Sequence, residues 1–234
     1  MKRRVHPVQS VNLWVDAATP AWQEQLQDAI AENWQSAVVS NPTLFNGTVY
    51  VADQIRFEAG NVRARARPLK FAALTYWRSL GMPEVGFRSM FGSIIIRSSD
   101  RALIMARTAV HNATAGMIGF PGGTLDDADR TGNQLDPRAC CLRECAEETG
   151  ITTDDLDAAS DLLVCHDSHR LAFGCIAVTK MNANEIVERL HAFLSTQTMP
   201  ELADLFIVRD LNDLNQLAPH PVSNAFANWI FEND

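Results

Sequence analysis

The chain lacks any stretch approaching the roughly 20 consecutive apolar residues of a membrane span, which predicts no helical crossing of a bilayer. It also lacks a CxxC pair. Its cysteines, Cys140, Cys141, Cys145, Cys165 and Cys175, are odd in number and fall mostly in expected helix or strand, so reduced thiols in a cytosol are the simplest reading. Positive charge is in short supply, with 20 Lys and Arg against 28 Asp and Glu and a net charge of −8. That balance argues against a general nucleic-acid or membrane-surface binder, although phosphate substrates need only a few local positives. Met1-Lys2-Arg3-Arg4 has the charged start of a signal peptide, but no apolar run of adequate length follows, and a cytoplasmic location is expected. What is present is apolar content of 47% over 234 residues, enough for a sizeable core in a single compact enzyme.

The most informative segment is Arg143-Glu144-Cys145-Ala146-Glu147-Glu148-Thr149-Gly150. Asp136 suits an N-cap, Pro137 the first helical position and Gly150 a left-handed stop, so the spacing predicts a helix over about residues 137 to 149. At roughly 100° per residue, Glu148 lies about 40° from Glu144 on one side and Glu147 about 60° on the other, placing all three on one face. Like charges at this spacing cost a few tenths of a kcal/mol per pair, and each acid near the C-terminal end opposes the helix dipole by roughly 0.3 to 1 kcal/mol. Arg143 alone does not balance three glutamates. A hard divalent cation such as Mg²⁺ does, since it takes oxygen ligands and keeps positions open for water and phosphate oxygens. Without such a cation the run is simply a solvated acidic helix end.

Upstream runs Gly119-Phe120-Pro121-Gly122-Gly123-Thr124-Leu125-Asp126, a strand end breaking into a double-glycine turn. Together, Phe-Pro-Gly-Gly and Arg-Glu-x-x-Glu-Glu-x-Gly resemble the Nudix box, the signature of hydrolases acting on nucleoside diphosphates linked to another moiety. The resemblance implies that Gly122 offers a backbone carbonyl, and Glu144, Glu147 and Glu148 their carboxylates, to Mg²⁺ or Mn²⁺, with Arg143 orienting the acids. It implies metal-assisted hydrolysis of a pyrophosphate linkage. The catalytic base is either a box glutamate, Glu147 among them, or one on a later loop, for which Glu201 in Met199-Pro200-Glu201 is the candidate; Glu201 also reads as an ordinary exposed acid. Two departures stand out. The loop from Gly123 to Arg143 is longer than the usual box by about six residues, and the family's intermediate glutamate, eight before the arginine, falls on Leu135. Asp126, Asp127 and Asp129 offer substitute carboxylates at unmatched places.

Around the box the chain alternates between strands and helices. Strands are expected at 91–97 and 102–107 joined by Ser98-Ser99-Asp100-Arg101, then at 162–166, 171–179 and 205–208, with helices spanning 186–194 and 222–231. The order fits the α/β/α sandwich with a mixed sheet that the resemblance implies, giving an α+β fold with a Nudix domain over 89–234 and an N-terminal α+β extension over 1–88. In the extension, Trp22, Leu26, Ile30 and Trp34 recur every four residues as an amphipathic helix, and two strands should follow around turns at Asn46-Gly47 and Gly60-Asn61. Val62-Arg63-Ala64-Arg65-Ala66-Arg67 puts three arginines on one strand face, either a salt-bridged surface or a docking surface for an anionic substrate or partner subunit.

The segments Asn41-Pro42-Thr43-Leu44-Phe45-Asn46-Gly47 and Leu74-Thr75-Tyr76-Trp77-Arg78-Ser79-Leu80-Gly81 are similar to the N-terminal extension of Nudix enzymes that split UDP-sugars, which puts a UDP-sugar ahead of ADP-ribose, dinucleotides and coenzyme A derivatives as the expected small-molecule substrate. Arg107 and His111 are candidates to meet phosphate and Phe120 to line a base pocket, though each also suits a structural role. Cys165, His166 and His169 are close in sequence, but neighbouring strand residues face opposite ways, which disfavours a shared metal. A nucleotide sensor without turnover is the rival reading: the three helical acids weigh against it, the missing intermediate glutamate for it. A homodimer is compatible with the sequence.

Overall fold

The computed structural model describes residues 3–233, and the side chains of these apart from 158–160; Met1 and Lys2 of the charged start lie outside the described residues. The fold is α+β, built on one large mixed sheet. Along its main path the strands run Arg4–Val8, Leu156–His166, Arg170–Thr179, Arg88–Arg97, Thr48–Glu58, Asn61–Lys70 and Ser10–Val15, ending in the two-residue strands 134–135 and 130–131. Arg170–Thr179 runs parallel to Arg88–Arg97, and Ser10–Val15 parallel to Asn61–Lys70, whereas the other main pairings are antiparallel. Because Val8 and Ser10 are separated only by Gln9, one continuous segment supplies both the first strand of this path and its seventh. Residues 4–15 thus tie the strands of the first 88 residues to those that follow. These two opening strands were not anticipated.

A branch leaves Arg88–Arg97 toward the site. Gly122–Thr124 pairs with Phe91, Gly92 and Ser93, while Leu103–Thr108 carries Leu202–Val208 on one side and Ile118–Gly119 on the other. The run Ile94-Ile95-Ile96 shows why helices cover both faces of the sheet. Side chains alternate across a strand, so Ile94 and Ile96 enter one core with Cys140, Cys141, Phe173 and Ile186, while Ile95 enters another with Leu163, Ala172, Phe226 and Ile230. The first core lies under the helices Pro137–Thr149 and Ala183–Thr196, the second under Pro221–Asn233. A third cluster joins Ile30, Leu69, Leu74 and Trp77. All five cysteines are buried and outside any disulfide, and no helix among the described residues is long and apolar enough to cross a membrane.

One expectation for the first 88 residues needs revision. The helix expected from Trp22 to Trp34 is two helices, Ala21–Gln25 and Gln27–Ser40, broken where Leu26 leaves helical geometry (φ −119°). The break lets Trp22 stack on Tyr76 at 6.1 Å and meet Phe87 edge-on, while Trp34 packs on Phe71. The helix Phe71–Ser79 was unassigned in sequence; its start is capped from afar, by Asn46 Oδ1 accepting the Ala72 N–H at 2.8 Å. Of the three arginines, Arg65 and Arg67 take the salt-bridged form, while Arg63 is exposed. Arg65 donates twice to Asp53, at 2.7 and 2.9 Å, and once to Asp16, and Arg67 donates to the Ala18 and Thr19 carbonyls.

Candidate active site

The helix carrying the acids spans Pro137–Thr149, with the Asp136 carboxylate accepting the Arg138 N–H and Gly150 closing it in the left-handed region at φ +67°. A side chain at Gly150 would be strained there and would also overlap the Phe193 ring. This framing aims Glu144, Glu147 and Glu148 into one cavity of about 580 Å³, whose wall also includes Gly122, Gly123 and Glu201. The three acids differ in exposure. Glu148 is 4% exposed, and the side chains of Glu144 and Glu147 are 13% and 57% exposed.

The glycine turn and the acids interlock. The Gly122 N–H donates to Glu148 Oε2 at 2.8 Å. A Cβ on Gly123 would overlap the Glu144 carboxylate, so the second glycine leaves the space this acid fills. Arg143 binds on two sides. Nη1 donates to Glu144 at 2.8 Å and to Glu147 at 3.0 Å, while Nε and Nη2 donate to the two oxygens of Asp129 at 3.0 and 3.1 Å. Asp129 has a side chain only 1% exposed. Sequence reasoning left it among three unassigned acids; its signal was the spacing Asp126-x-x-Asp129, which forms a capping box around the turn 127–129. Leu135, at the motif's glutamate position, is buried in the main core.

The electrostatics follow from burial. Loss of water raises Glu148 well above the usual carboxylate range; Glu144, Glu201 and Glu147 add to this, and the Gly122 N–H opposes it. Burial pushes Glu144 up to about 7 despite the charge and hydrogen bond of Arg143, with Glu147 and Glu201 contributing in the same sense. Burial by itself would lower Arg143, but Asp129 and Glu144 more than reverse that and raise it. Glu201 therefore lies near enough for its charge to act on both buried acids. Its Oε2 accepts from Asn112 Nδ2 at 3.0 Å.

Of the remaining sequence candidates, Phe120 lines the cavity, buried to 7% exposure, with its N–H donating to Ser223 Oγ. Arg107 does not line it. Ala106 and Thr108 on the same strand do, and alternation turns Arg107 the other way, onto Asp204 at 2.8 Å and the Phe206 ring. His111 lines an adjoining cleft with Thr43, Leu44, Phe45 and Asp126, and its backbone carbonyl accepts from Asn41. His166 stacks with Phe57, at 4.1 Å between ring centroids, and with His6. Sequence reasoning missed Arg170 and His220 as cavity residues, together with the placement of Phe71, Arg78 and Met82 there from the first 88 residues.

Hard oxygen donors in a partly dry cavity suit a divalent cation. Among the described residues no three His, Cys, Asp or Glu side chains already converge at ligating distance, because Arg143 draws Glu144 and Glu147 and the Gly122 N–H holds Glu148. Those same contacts mark what a cation would compete with. The donors fit Mg²⁺ or Mn²⁺ by type.

Fold and cavity define a class: an α+β protein that buries a cluster of acids beneath a glycine turn. Residues 86–201 match the family model of the NUDIX domain, so this part of the chain is a Nudix domain. No curated protein matches it. Among solved structures it is similar to Tm1382, a putative Nudix hydrolase, at 11% identity over 80% of this chain and all of that one, with a TM-score of 0.46. It is similar to a MutT protein from Methanosarcina mazei Go1 (16% identity, 62% and 94% covered, TM-score 0.41). It is also similar to a C. elegans Ap4A hydrolase (13% identity, 60% and 94% covered, TM-score 0.42).

Proposed function

We propose that the protein hydrolyses the pyrophosphate bond of a nucleoside diphosphate linked to a second moiety, using Mg²⁺ or Mn²⁺ held by Glu144, Glu147, Glu148 and the Gly122 carbonyl. The observation that carries this reading is the buried pair Glu144 and Glu148 in the cavity wall, both shifted toward the protonated form and both next to the glycine turn. When bound, the cation would neutralise phosphoryl oxygens and acidify a water. The chain's own groups do the rest. Arg143, anchored on Asp129, positions Glu144 and Glu147. Glu147 is the more exposed of the three, and Glu201 shares the cavity while held by Asn112, so each can take a proton from an attacking water. Phe120 offers an apolar wall to the substrate.

Residues 1–88 we read as an extension that helps to form the substrate pocket, since Phe71, Arg78 and Met82 line the same cavity as the acids. The similarity of residues 41–47 and 74–81 to UDP-sugar enzymes keeps a UDP-sugar first among substrates, and Asn46 capping the helix at Ala72 links these two segments. Five cysteines outside any disulfide support a reducing, cytosolic setting.

A phosphate-release panel coupled to a phosphatase, with UDP-sugars, ADP-ribose, dinucleotides and coenzyme A derivatives in Mg²⁺ or Mn²⁺, tests the proposal. Turnover that needs the metal and falls at least about 100-fold in Glu147→Gln is expected. Nucleotide binding without metal-dependent turnover would instead favour a sensor.

A further inference from the structure

The cavity has a second electrostatic character that pyrophosphate hydrolysis by the acids does not use. Away from the box it is lined by Arg78 and Arg170, with His220 beside them and Phe91 against His220 at 6.4 Å between ring centroids. Neither guanidinium bonds to a box glutamate. Arg170 donates to Asp167 Oδ2 at 3.4 Å and to Met82 Sδ at 3.6 Å. The side chain of Arg78, half-buried, makes no hydrogen bond or ion pair among the described residues.

Asp167, which holds Arg170, has its lone pairs spoken for. Oδ1 accepts the His169 and Arg170 N–H groups, both at 2.8 Å, and Oδ2 accepts Arg3 at 3.1 Å and Arg170 at 3.4 Å. Two arginines, Arg3 and Arg170, thus share one saturated carboxylate, and the charge of Arg170 also acts on Arg78, in a chain whose net charge is −8. The strain shows in their neighbours. Burial and the charge of Arg170 pull Arg78 down to about 10, and burial with Arg170, Arg3 and Arg78 pulls His220 down to about 4. His220 is therefore neutral at pH 7. Its Nδ1 accepts the Val222 N–H at 3.4 Å, which leaves Nε2 as the protonated nitrogen, a donor. Like charges in a half-dry space cost free energy unless an anion joins them.

We propose that Arg78, Arg170 and His220 form a subsite for an anionic group, a carboxylate or phosphate ester, which the substrate carries apart from the diphosphate cleaved at the acids. The subsite rests on the hydrolase reading above and narrows its substrate class: the preferred molecule is charged at two places. Arg78 belongs to residues 74–81, so the N-terminal extension would be the element that selects it.

Matched substrate pairs test this. UDP-glucuronate against UDP-glucose isolates a carboxylate, and coenzyme A against dephospho-coenzyme A isolates a phosphate ester. With Mn²⁺, kcat/KM is expected to favour the charged member of at least one pair tenfold or more, and the pair that shows it identifies the anion. Arg78→Gln should shrink that preference at least fivefold, and Arg78→Lys should restore part of it. Equal turnover within both pairs, or an Arg78→Gln loss shared equally by both members, overturns the subsite. If Arg78→Gln does not fold by circular dichroism, Arg170→Gln is read in the same way. Should none of the four compounds be hydrolysed, the hydrolase reading itself is in question, and binding decides the subsite alone. Millimolar inorganic phosphate in EDTA is then expected to raise the Tm of the wild type but not of Arg78→Gln, and the absence of a wild-type shift refutes it.

Discussion

Removing the charge of Glu144 should relieve a stress that grows with pH. In the metal-free protein this carboxyl titrates near 7 rather than at its ordinary 4.5, chiefly through burial. The folded state therefore holds its proton more tightly than the unfolded state. Below about pH 4.5 both states are protonated and Glu144 costs nothing; as pH rises toward 7 the unfolded chain ionises first, and stability is lost. With the side chain only 13% exposed, solvent screening is slight, and the shift integrates to about 2 to 3 kcal/mol between pH 5 and pH 8. For a chain of this size that is roughly 5–10 °C in Tm. The assay is urea unfolding of wild type and Glu144→Gln in EDTA at both pH values. Relative to wild type, the variant should gain about 2 to 3 kcal/mol on going from pH 5 to pH 8. His166 and His220, both pulled down to about 4, add the opposite trend, stability gained as pH rises to the ordinary histidine range. They do so in both proteins and cancel in the difference. Saturating Mn²⁺ should abolish the variant's advantage at pH 8. A difference flat with pH to within about 0.5 kcal/mol would refute the buried, strained state of this acid.

Other consequences follow from the same geometry. Gly123→Ala places a methyl where the Glu144 carboxylate sits, so kcat should fall about 100-fold through misplacement; steady-state rates near wild type would contradict the close approach. Asp129→Asn breaks the buried side of the Arg143 network and should cost about 3 kcal/mol in urea unfolding, whereas a loss below about 1 kcal/mol would show that Asp129 is not its anchor. Mn²⁺ binding near pH 6.5 should release about one or two protons, because Glu144 and Glu148 are held toward the protonated form. Calorimetry in two buffers of different ionisation enthalpy reads that number, which should shrink by pH 8.5.

The sequence carried the centre of the site because local chemistry defines it: Asp136, Pro137 and Gly150 frame the helix, and the helical period brings the glutamates to one cavity wall. Where the outcome depended on contacts between distant segments, local reading failed. Arg143 was expected to bridge helical acids, which it does, but its buried partner Asp129 sits on the long loop. The helix Phe71–Ser79 starts on a cap supplied by Asn46, which no local signal announces. Arg107 missed the cavity by one step of strand parity, its neighbours Ala106 and Thr108 facing in. Phe71, Arg78 and Met82 reach the site because the strands of the first 88 residues pair into the shared sheet.

The most direct test incubates a nucleoside diphosphate derivative with Mn²⁺ and either wild type or Glu148→Gln and reads timed aliquots, freed of Mn²⁺ on a chelating resin, by ³¹P nuclear magnetic resonance. With wild type the paired diphosphate signals should give way to two phosphomonoester signals, and Glu148→Gln, folded by circular dichroism, should be slower by at least about 100-fold. Undiminished cleavage by Glu148→Gln would contradict the role given to the buried acids, and intact diphosphate across the whole substrate panel with folded, Mn²⁺-saturated wild type would contradict the hydrolase reading.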